Sequence, residues 1–344
     1  MPKKVKSCFY KNLTFEKLLL AHQRARCHKV YKAEVINFEM ELENNISLLL
    51  DSIKTNTYRI GKYREFKVYE PKERTIQALP YVDRVVHQWY VEEFVKPHIV
   101  PKFIDTTFAC LANKGTHKAV EKAQEYMRIF KRNYGDFWVL KCDIKKFFYS
   151  IDPYTLFSIM AKYIKDKKLL SFTKLLIFDS RNINDIGIPI GNYTSQFFAN
   201  IYLNELDQYI KHTIKCKYYI RYMDDFIILA KAKADCIAIK KRVEEFLKIY
   251  LHLELNDKSR YYPYKMGVNF CGYRVFTTHK LLRVSSKKKI KNNVKHWNKL
   301  FAKNKLNIRD TMQNMNSWVG HSSHCNSYKL QTKIFNSCDF IYRE

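Results

Sequence analysis

Apolar side chains recur at helical spacing through residues 13–52, at Phe15, Leu18 and Leu19 and then at Ile36, Phe38, Leu42, Ile46 and Leu49. A period of three to four residues gathers such positions on one face, so this stretch predicts two helices. The pattern changes at 66–78. There Phe66-Lys-Val-Tyr and Arg74-Thr-Ile flank Glu70-Pro-Lys-Glu, which predicts a hairpin with its turn at the proline. Helical spacing returns at about 81–98, 117–131 and 153–178. Between the last two, Phe137-Trp-Val-Leu-Lys-Cys is an apolar run too short for a helix, and it predicts a buried strand ending at Asp143. Gly187-Ile-Pro-Ile-Gly then breaks the pattern, and Ser195 is placed to cap a helix through about residue 211. Two further apolar runs, Tyr218–Tyr222 and Phe226–Ala230, enclose Met223-Asp224-Asp225 as strand, tight turn and strand. A helix at about 232–251, short strands near 253–256 and 268–276, and a helix over 285–303 complete the reading. In that last helix Ile290, Val294, Trp297 and Leu300 share one side. Helices and short strands are both present, an α+β composition.

Charge changes the picture. The chain of 344 residues carries 62 Lys and Arg against 33 Asp and Glu, a formal charge of +29. A field of that sign gathers polyanions, above all nucleic acid. The excess is uneven. From Lys258 to Arg309 there are 15 Lys or Arg and no acidic residue in 52 positions. Lys287, Lys288, Lys289 and Lys291 surround the apolar side of the 285–303 helix, which makes them candidates to grip phosphates.

The nine cysteines form no C-x-x-C pair and no Cys/His cluster at zinc spacing, as expected for reduced thiols in an intracellular protein. Met1-Pro-Lys-Lys leads into no apolar stretch, so no secretory signal is expected there, and no run is long enough to span a bilayer. A cytoplasmic protein with no membrane partner is the expectation.

Candidate chemistry lies where carboxylates end apolar strands. Asp143 ends one strand, and Asp224 and Asp225 occupy the turn of a hairpin. Carboxylates beside a core are costly unless a cation neutralises them. Mg²⁺ suits that task, because it prefers hard oxygen ligands and also binds substrate phosphates. Two such ions, about 3.5–4 Å apart, can activate an attacking 3′-hydroxyl and stabilise departing pyrophosphate.

At these residues the chain resembles reverse transcriptases. Tyr222-Met-Asp-Asp225 is similar to their Y-x-D-D signature, and Lys141-Cys-Asp-Ile-Lys-Lys-Phe-Phe-Tyr-Ser-Ile-Asp152 to their first palm motif. Other segments match in order. Pro71-Lys-Glu-Arg-Thr-Ile76 with Asp83-Arg-Val-Val-His-Gln88 resembles the fingers, and Phe108-Ala-Cys with Lys114-Gly-Thr-His-Lys-Ala119 a further motif of the bacterial enzymes. Leu255-Asn-Asp-Lys258 and Val268-Asn-Phe-Cys-Gly-Tyr273 resemble the segment of a pyrophosphate-protonating lysine and the primer grip.

The resemblance implies a right-hand polymerase. An N-terminal helical extension would cover 1–54, fingers 55–135, palm 136–276 with an insertion at about 153–190, and a basic helical thumb 277–344. It also implies roles. Asp143, Asp224 and Asp225, with the Ile144 carbonyl, would hold two Mg²⁺ ions, Mn²⁺ being a substitute. Lys258 would act as an acid. Lys72 and Arg74 would pack on the triphosphate of the incoming dNTP, and Phe148 would exclude a 2′-hydroxyl. Ile190, Gly191 and Gln196 would line the nucleotide site. Lys114, Gly272 and Tyr273 would join the 287–291 lysines in holding nucleic acid.

One motif narrows the resemblance. Ile190-Gly-Asn-Tyr-Thr-Ser-Gln196 stands where most reverse transcriptases carry Q-G-x-x-x-S-P, and that departure is similar to the enzymes of diversity-generating retroelements. Isoleucine offers no hydrogen bond to fix a nucleotide, so low fidelity is expected. The resemblance further implies a template-repeat RNA as substrate, an RNA/cDNA hybrid as product complex, errors opposite template adenine, and a small basic, oligomeric accessory variability protein as partner. Two alternatives stand beside it: a phage-defence enzyme of abortive-infection or retron-like type, and an RNA-binding scaffold without catalysis.

Overall fold

The computed structural model describes residues 4–69, 73–178 and 186–341. In chain order come α1 (Phe9–Asn12), α2 (Phe15–Arg26), α3 (Ala33–Met40) and α4 (Leu42–Lys54), then β1 (Arg64–Val68) and β2 (Arg74–Ala78). α5 (Tyr81–Tyr90) runs through a π-helical turn, Val91–Val95, into α6 (Lys96–His98). α7 (Thr116–Tyr134), β3 (Trp138–Cys142), α8 (Phe147–Ser150), α9 (Pro153–Tyr163), α10 (Lys167–Phe178) and α11 (Tyr193–Gln208) follow. The remainder is β4 (Tyr219–Tyr222), β5 (Asp225–Ala230), α12 (Lys233–Tyr250), β6 (Arg260–Pro263), β7 (Val268–Phe270), β8 (Tyr273–Val275), β9 (Lys280–Leu282), α13 (Val284–Phe301), α14 (Ile308–Ser322) and α15 (Tyr328–Phe335).

These elements form two compact units. The first comprises Met1–Asp105, Asp143–Lys215 and Lys241–Asp257; the second comprises Thr106–Cys142, Cys216–Lys240 and Lys258–Glu344.

The first unit is mainly helical. α2 lies against α5, and an aromatic core joins Phe9, Trp89, Phe94 and Phe172. Such rings bury large apolar areas, and their polar edges still find partners. The Trp89 indole donates to the Asn12 carbonyl at 2.7 Å, and the Tyr90 hydroxyl meets that of Thr173 at 2.7 Å. α9 starts where the sequence dictates. Asp152 accepts from the backbone N–H of Thr155 at 2.9 Å, and Pro153 supplies a residue with no N–H to satisfy. The unit's two-stranded sheet pairs β1 with β2, Val68 opposite Arg74, as the hairpin reading expected; the 70–72 turn lies outside the described residues.

The second unit holds two antiparallel sheets. One has strand order β4-β5-β3-β6, the other β7-β8-β9. Phe130 of α7, Phe137 just before β3, Val139, Ile220 and Ile227 of the strands and Trp297 of α13 belong to one buried cluster. β3 alternates little because it is a central strand, with Val139, Leu140 and Cys142 all at 0% exposure.

Three expectations are corrected. The 13–52 stretch folds as three helices rather than two, with breaks before Ala33 and after Met40. Ser195 does not cap a helix: α11 begins at Tyr193, so Ser195 lies inside it, buried at 3%. β6 replaces the strand expected near 253–256, where only an isolated bridge from Leu255 to Ile144 forms.

Candidate active site

The Asp-Asp turn is built by register. In the β4–β5 hairpin Tyr222 pairs with Asp225, leaving Met223 and Asp224 as its two loop residues. Met223 takes φ 56°, a left-handed backbone that costs a residue with a Cβ roughly 1–2 kcal/mol. Strain of this kind persists only where its surroundings enforce it. Arg221 is that enforcement. It is fully buried, and its guanidinium donates to the Met223 carbonyl at 2.9 Å. Its strand is held in turn by backbone bonds from Arg221 N–H to the Thr106 carbonyl and from Phe108 N–H to the Arg221 carbonyl, both 3.0 Å.

β3 runs beside this hairpin with Cys142 opposite Phe226. The chain passes from Cys142 directly into Asp143, and Asp225 immediately precedes Phe226. Asp143, Asp224 and Asp225 are each half-buried. Lys141 forms an ion pair with Asp225 Oδ1, so a cation already faces that carboxylate. In the first unit the Asp143 carbonyl accepts from Asn256 N–H at 2.7 Å, and the Ile144 backbone bridges to Leu255. Ile144 itself is buried. Lys258 is exposed.

Phe148 and the 187–191 segment are joined. Ile188 N–H donates to the Phe148 carbonyl at 2.7 Å and Gly187 N–H to that of Ile151 at 2.8 Å. Gly187 has φ 98°, and a Cβ there would lie 3.0 Å from the Tyr149 backbone, so only glycine fits. The Ile190 carbonyl accepts from Gln77 N–H at 2.9 Å, which ties this loop to β2. Gly191, with φ 129°, lies so close that a Cβ would be 2.9 Å from the Gln77 carbonyl. Phe148 and Ile190 are half-buried and Arg74 exposed. Lys72 lies outside the described residues. Gln196 and Gly191 line a cavity of about 390 Å³ whose walls include Arg24, Lys29, Lys32 and Arg64.

Among the residues expected to hold nucleic acid, Lys288, Lys289 and Lys291 are exposed on α13, and Lys287 and Lys114 are half-buried. The Lys114 ammonium lies over the Phe108 ring, 5.3 Å from its centre. Gly272 forms the β7–β8 turn with φ 88°. Tyr273 is only 1% exposed, so its side chain supports the hairpin and leaves the outward surface to the turn itself.

Sequence reasoning missed Lys141, Arg221 and His117. The signal for Arg221 was available: a charged residue in mid-strand between Ile220 and Tyr222 must meet a buried partner. Nothing in the sequence pairs Lys141 with Asp225, because that contact depends on strand register.

Among the described residues, no three His, Cys, Asp or Glu side chains form a ready metal cage. Mg²⁺ does not need one. It keeps several waters and is commonly held by one or two carboxylates together with substrate phosphates. The half-buried aspartates offer the hard oxygen donors that such an ion prefers.

An antiparallel sheet presenting an Asp-Asp turn, with helices around it, is the palm architecture of a template-directed polymerase. The chain belongs to the reverse transcriptase (RNA-dependent DNA polymerase) family, whose model matches residues 67–275. It is 22% identical over 306 positions to the group II intron-encoded protein LtrA of Lactococcus lactis subsp. cremoris, covering 68% of this chain and 50% of that protein. It is 25% identical over 286 positions to the putative COX1/OXI3 intron 2 protein of Saccharomyces cerevisiae, covering 63% and 31%. The chain thus spans half or less of the length of these curated relatives. Among solved structures, telomerase from Candida albicans in complex with a telomeric RNA fragment aligns with a TM-score of 0.47 at 9% identity, covering 70% of this chain and 51% of that one. No described helix is long and apolar enough to cross a membrane.

Proposed function

We propose that this chain is an RNA-directed DNA polymerase, and that it copies a template-repeat RNA into error-prone cDNA for a diversity-generating retroelement. The observation that supports polymerisation is the Asp-Asp turn held by Arg221, in register with the strand that leads into Asp143. By the family resemblance, Asp143, Asp224 and Asp225 and the Ile144 carbonyl would serve as Mg²⁺ ligands. Bound there, the metal supplies charge for the 3′-hydroxyl and for pyrophosphate. The chain's own groups do the rest. Arg74 meets the triphosphate, Phe148 denies space to a 2′-hydroxyl, and Lys258 gives a proton to pyrophosphate. The exposed lysines of α13 hold the RNA/cDNA hybrid.

Ile190 supports the retroelement reading. Its carbonyl is committed to Gln77, and its side chain has neither donor nor acceptor to fix the sugar. Nucleotide choice then rests on fewer contacts that differ between right and wrong base pairs. A small basic accessory protein is the partner that completes this reading.

The test supplies purified protein with a primed RNA template, deoxynucleotides and Mg²⁺, with and without a small basic protein encoded nearby. DNA synthesis is expected, and Asp224→Asn should reduce it by at least about a thousandfold, a loss of transition-state stabilisation of roughly 4 kcal/mol. Sequenced cDNA should carry errors concentrated opposite template adenine. Errors spread over all four bases would remove the retroelement reading and leave the polymerase. Synthesis without any template would favour the abortive-infection alternative, and tight RNA binding without synthesis a scaffold.

A further inference from the structure

In the second unit, one buried hydroxyl ties together three stretches of chain far apart in sequence. Tyr273 Oη donates to the His321 carbonyl at 2.8 Å. The same oxygen lies 3.0 Å from His321 Nδ1 and 3.2 Å from His117 Nε2. A phenol has one proton and two lone pairs. With the proton given to the carbonyl, each lone pair receives an N–H from one imidazole. The geometry therefore fixes both tautomers, with hydrogen on His117 Nε2 and on His321 Nδ1. His324 stacks on His117 with ring centres 3.6 Å apart and planes at 24°. Gly272, the turn residue before Tyr273, packs on the His321 ring: an added Cβ would lie 3.2 Å from its Cε1.

We propose that His117 and His321 are positioning residues that hold the β7–β8 hairpin in place for the 3′ end of a nucleic-acid primer. This rests on the polymerase reading above. β7, β8 and β9 have three residues each, so this small sheet gains rigidity from support outside it. The support comes from both sides: His117 is in the first turn of α7 and His321 in the last turn of α14. His117 also gives a physical role to the Lys114-Gly-Thr-His-Lys-Ala119 segment beyond the nucleic-acid contact expected of Lys114.

Protonation would leave both N–H donors in place, so acid acts by forcing charge into a desolvated site beside another imidazole, not by removing a bond. Burial, before any other cause, holds both imidazoles below the usual histidine range. Around His117, His324 and Lys280 lower it further and Glu121 raises it; around His321, His117 and His324 lower it. Tyr273 is pushed up to about 12 by burial first, with the Cys325 and Cys271 thiols adding to it, so it stays protonated. A histidine lowered in the tethered state contributes fully above its ordinary value of about 6.5, and that contribution is lost as pH falls through the lowered value. Hairpin placement should fail toward acid.

The experiment is single-turnover nucleotide addition on a primed template, comparing wild type with Tyr273→Phe, His117→Ala and His117→Gln across pH. A glutamine amide keeps a donor at similar reach and does not titrate. Tyr273→Phe and His117→Ala should slow addition on the order of tenfold with burst amplitude unchanged, as expected when hydrogen bonds to a positioned group are lost. His117→Gln should restore the rate at neutral pH and weaken the acid limb. A structural defect alone would lower the amplitude and leave the rate. Amplitude loss alone, or wild-type rates in folded variants, would overturn the inference. Amide exchange in residues 268–275 gives a second readout that needs no activity. It should quicken in Tyr273→Phe, and unchanged protection would overturn the tether even if the wild type made no DNA. That last result would instead remove the polymerase reading.

Discussion

Single side chains decide whether the Asp-Asp turn exists in a usable form. Met223 pays for its left-handed backbone, and the Arg221 fork offsets that cost by bonding the turn's carbonyl. The Thr107 hydroxyl also lies 3.5 Å from the same guanidinium. Replacing Arg221 with Met keeps much of the volume and removes every donor. The Met223 carbonyl then loses a charge-assisted partner, a loss worth about 1–3 kcal/mol when the acceptor is not rehydrated. Arg221→Met is expected to lower stability by that amount in a urea titration. It should also depress polymerisation more than the stability loss explains, because the two loop positions would no longer be held. Arg221→Lys should recover little, since an ammonium cannot reproduce the planar fork. A variant that melts and polymerises like the parent would show that the turn holds itself.

At the level of elements, long periodic segments were legible and short ones were not. α7, α12 and α13 and the β4–β5 hairpin were readable because each carries one period over its whole length. β9 has only three residues and was not expected; β6, Arg-Tyr-Tyr-Pro, carries no apolar alternation and gains its strand state from pairing with β3. The start of α11 was misplaced because Ser195 is a strong capping residue type, yet its burial inside the helix overrides local preference. The candidate aspartates were legible as a motif; the partners of Lys141 and Arg221 were not, because register and a carbonyl's direction are three-dimensional facts. The Gly187 contact makes a prediction of the same kind. Its backbone is bonded to Ile151, and a Cβ would press on Tyr149 beside Phe148. Gly187→Ala should cost about 1–3 kcal/mol through strain. By shifting α8 it should also narrow the preference for deoxynucleotides over ribonucleotides, measured as the ratio of single-nucleotide incorporation rates. An unchanged ratio would mean that Phe148 is placed by other contacts.

For the whole molecule, the excess of +29 charges sets how it meets nucleic acid. The division into units could not be read from the sequence, since each unit draws on three separated stretches chosen by long-range pairing. Charge was readable, because it needs no fold. What the structure adds is direction. α13 turns Ile290, Val294 and Trp297 into the core and leaves Lys288, Lys289 and Lys291 exposed. Binding to a polyanion releases condensed counterions, so the logarithm of affinity falls linearly with the logarithm of salt, by about 0.7–0.9 for each phosphate neutralised. If these three lysines each neutralise one phosphate, replacing all three with Ala should reduce that slope by roughly 2–3. The loss should be similar for any hybrid sequence, because phosphate contacts position without reading bases. Stability should change little, since none of the three side chains is buried. Fluorescence anisotropy with a labelled RNA/DNA hybrid, titrated across salt, measures the slope directly. A triple variant with the parental slope would place the phosphate grip elsewhere on this basic surface, the walls lined by Arg24, Lys29, Lys32 and Arg64 being the next to test.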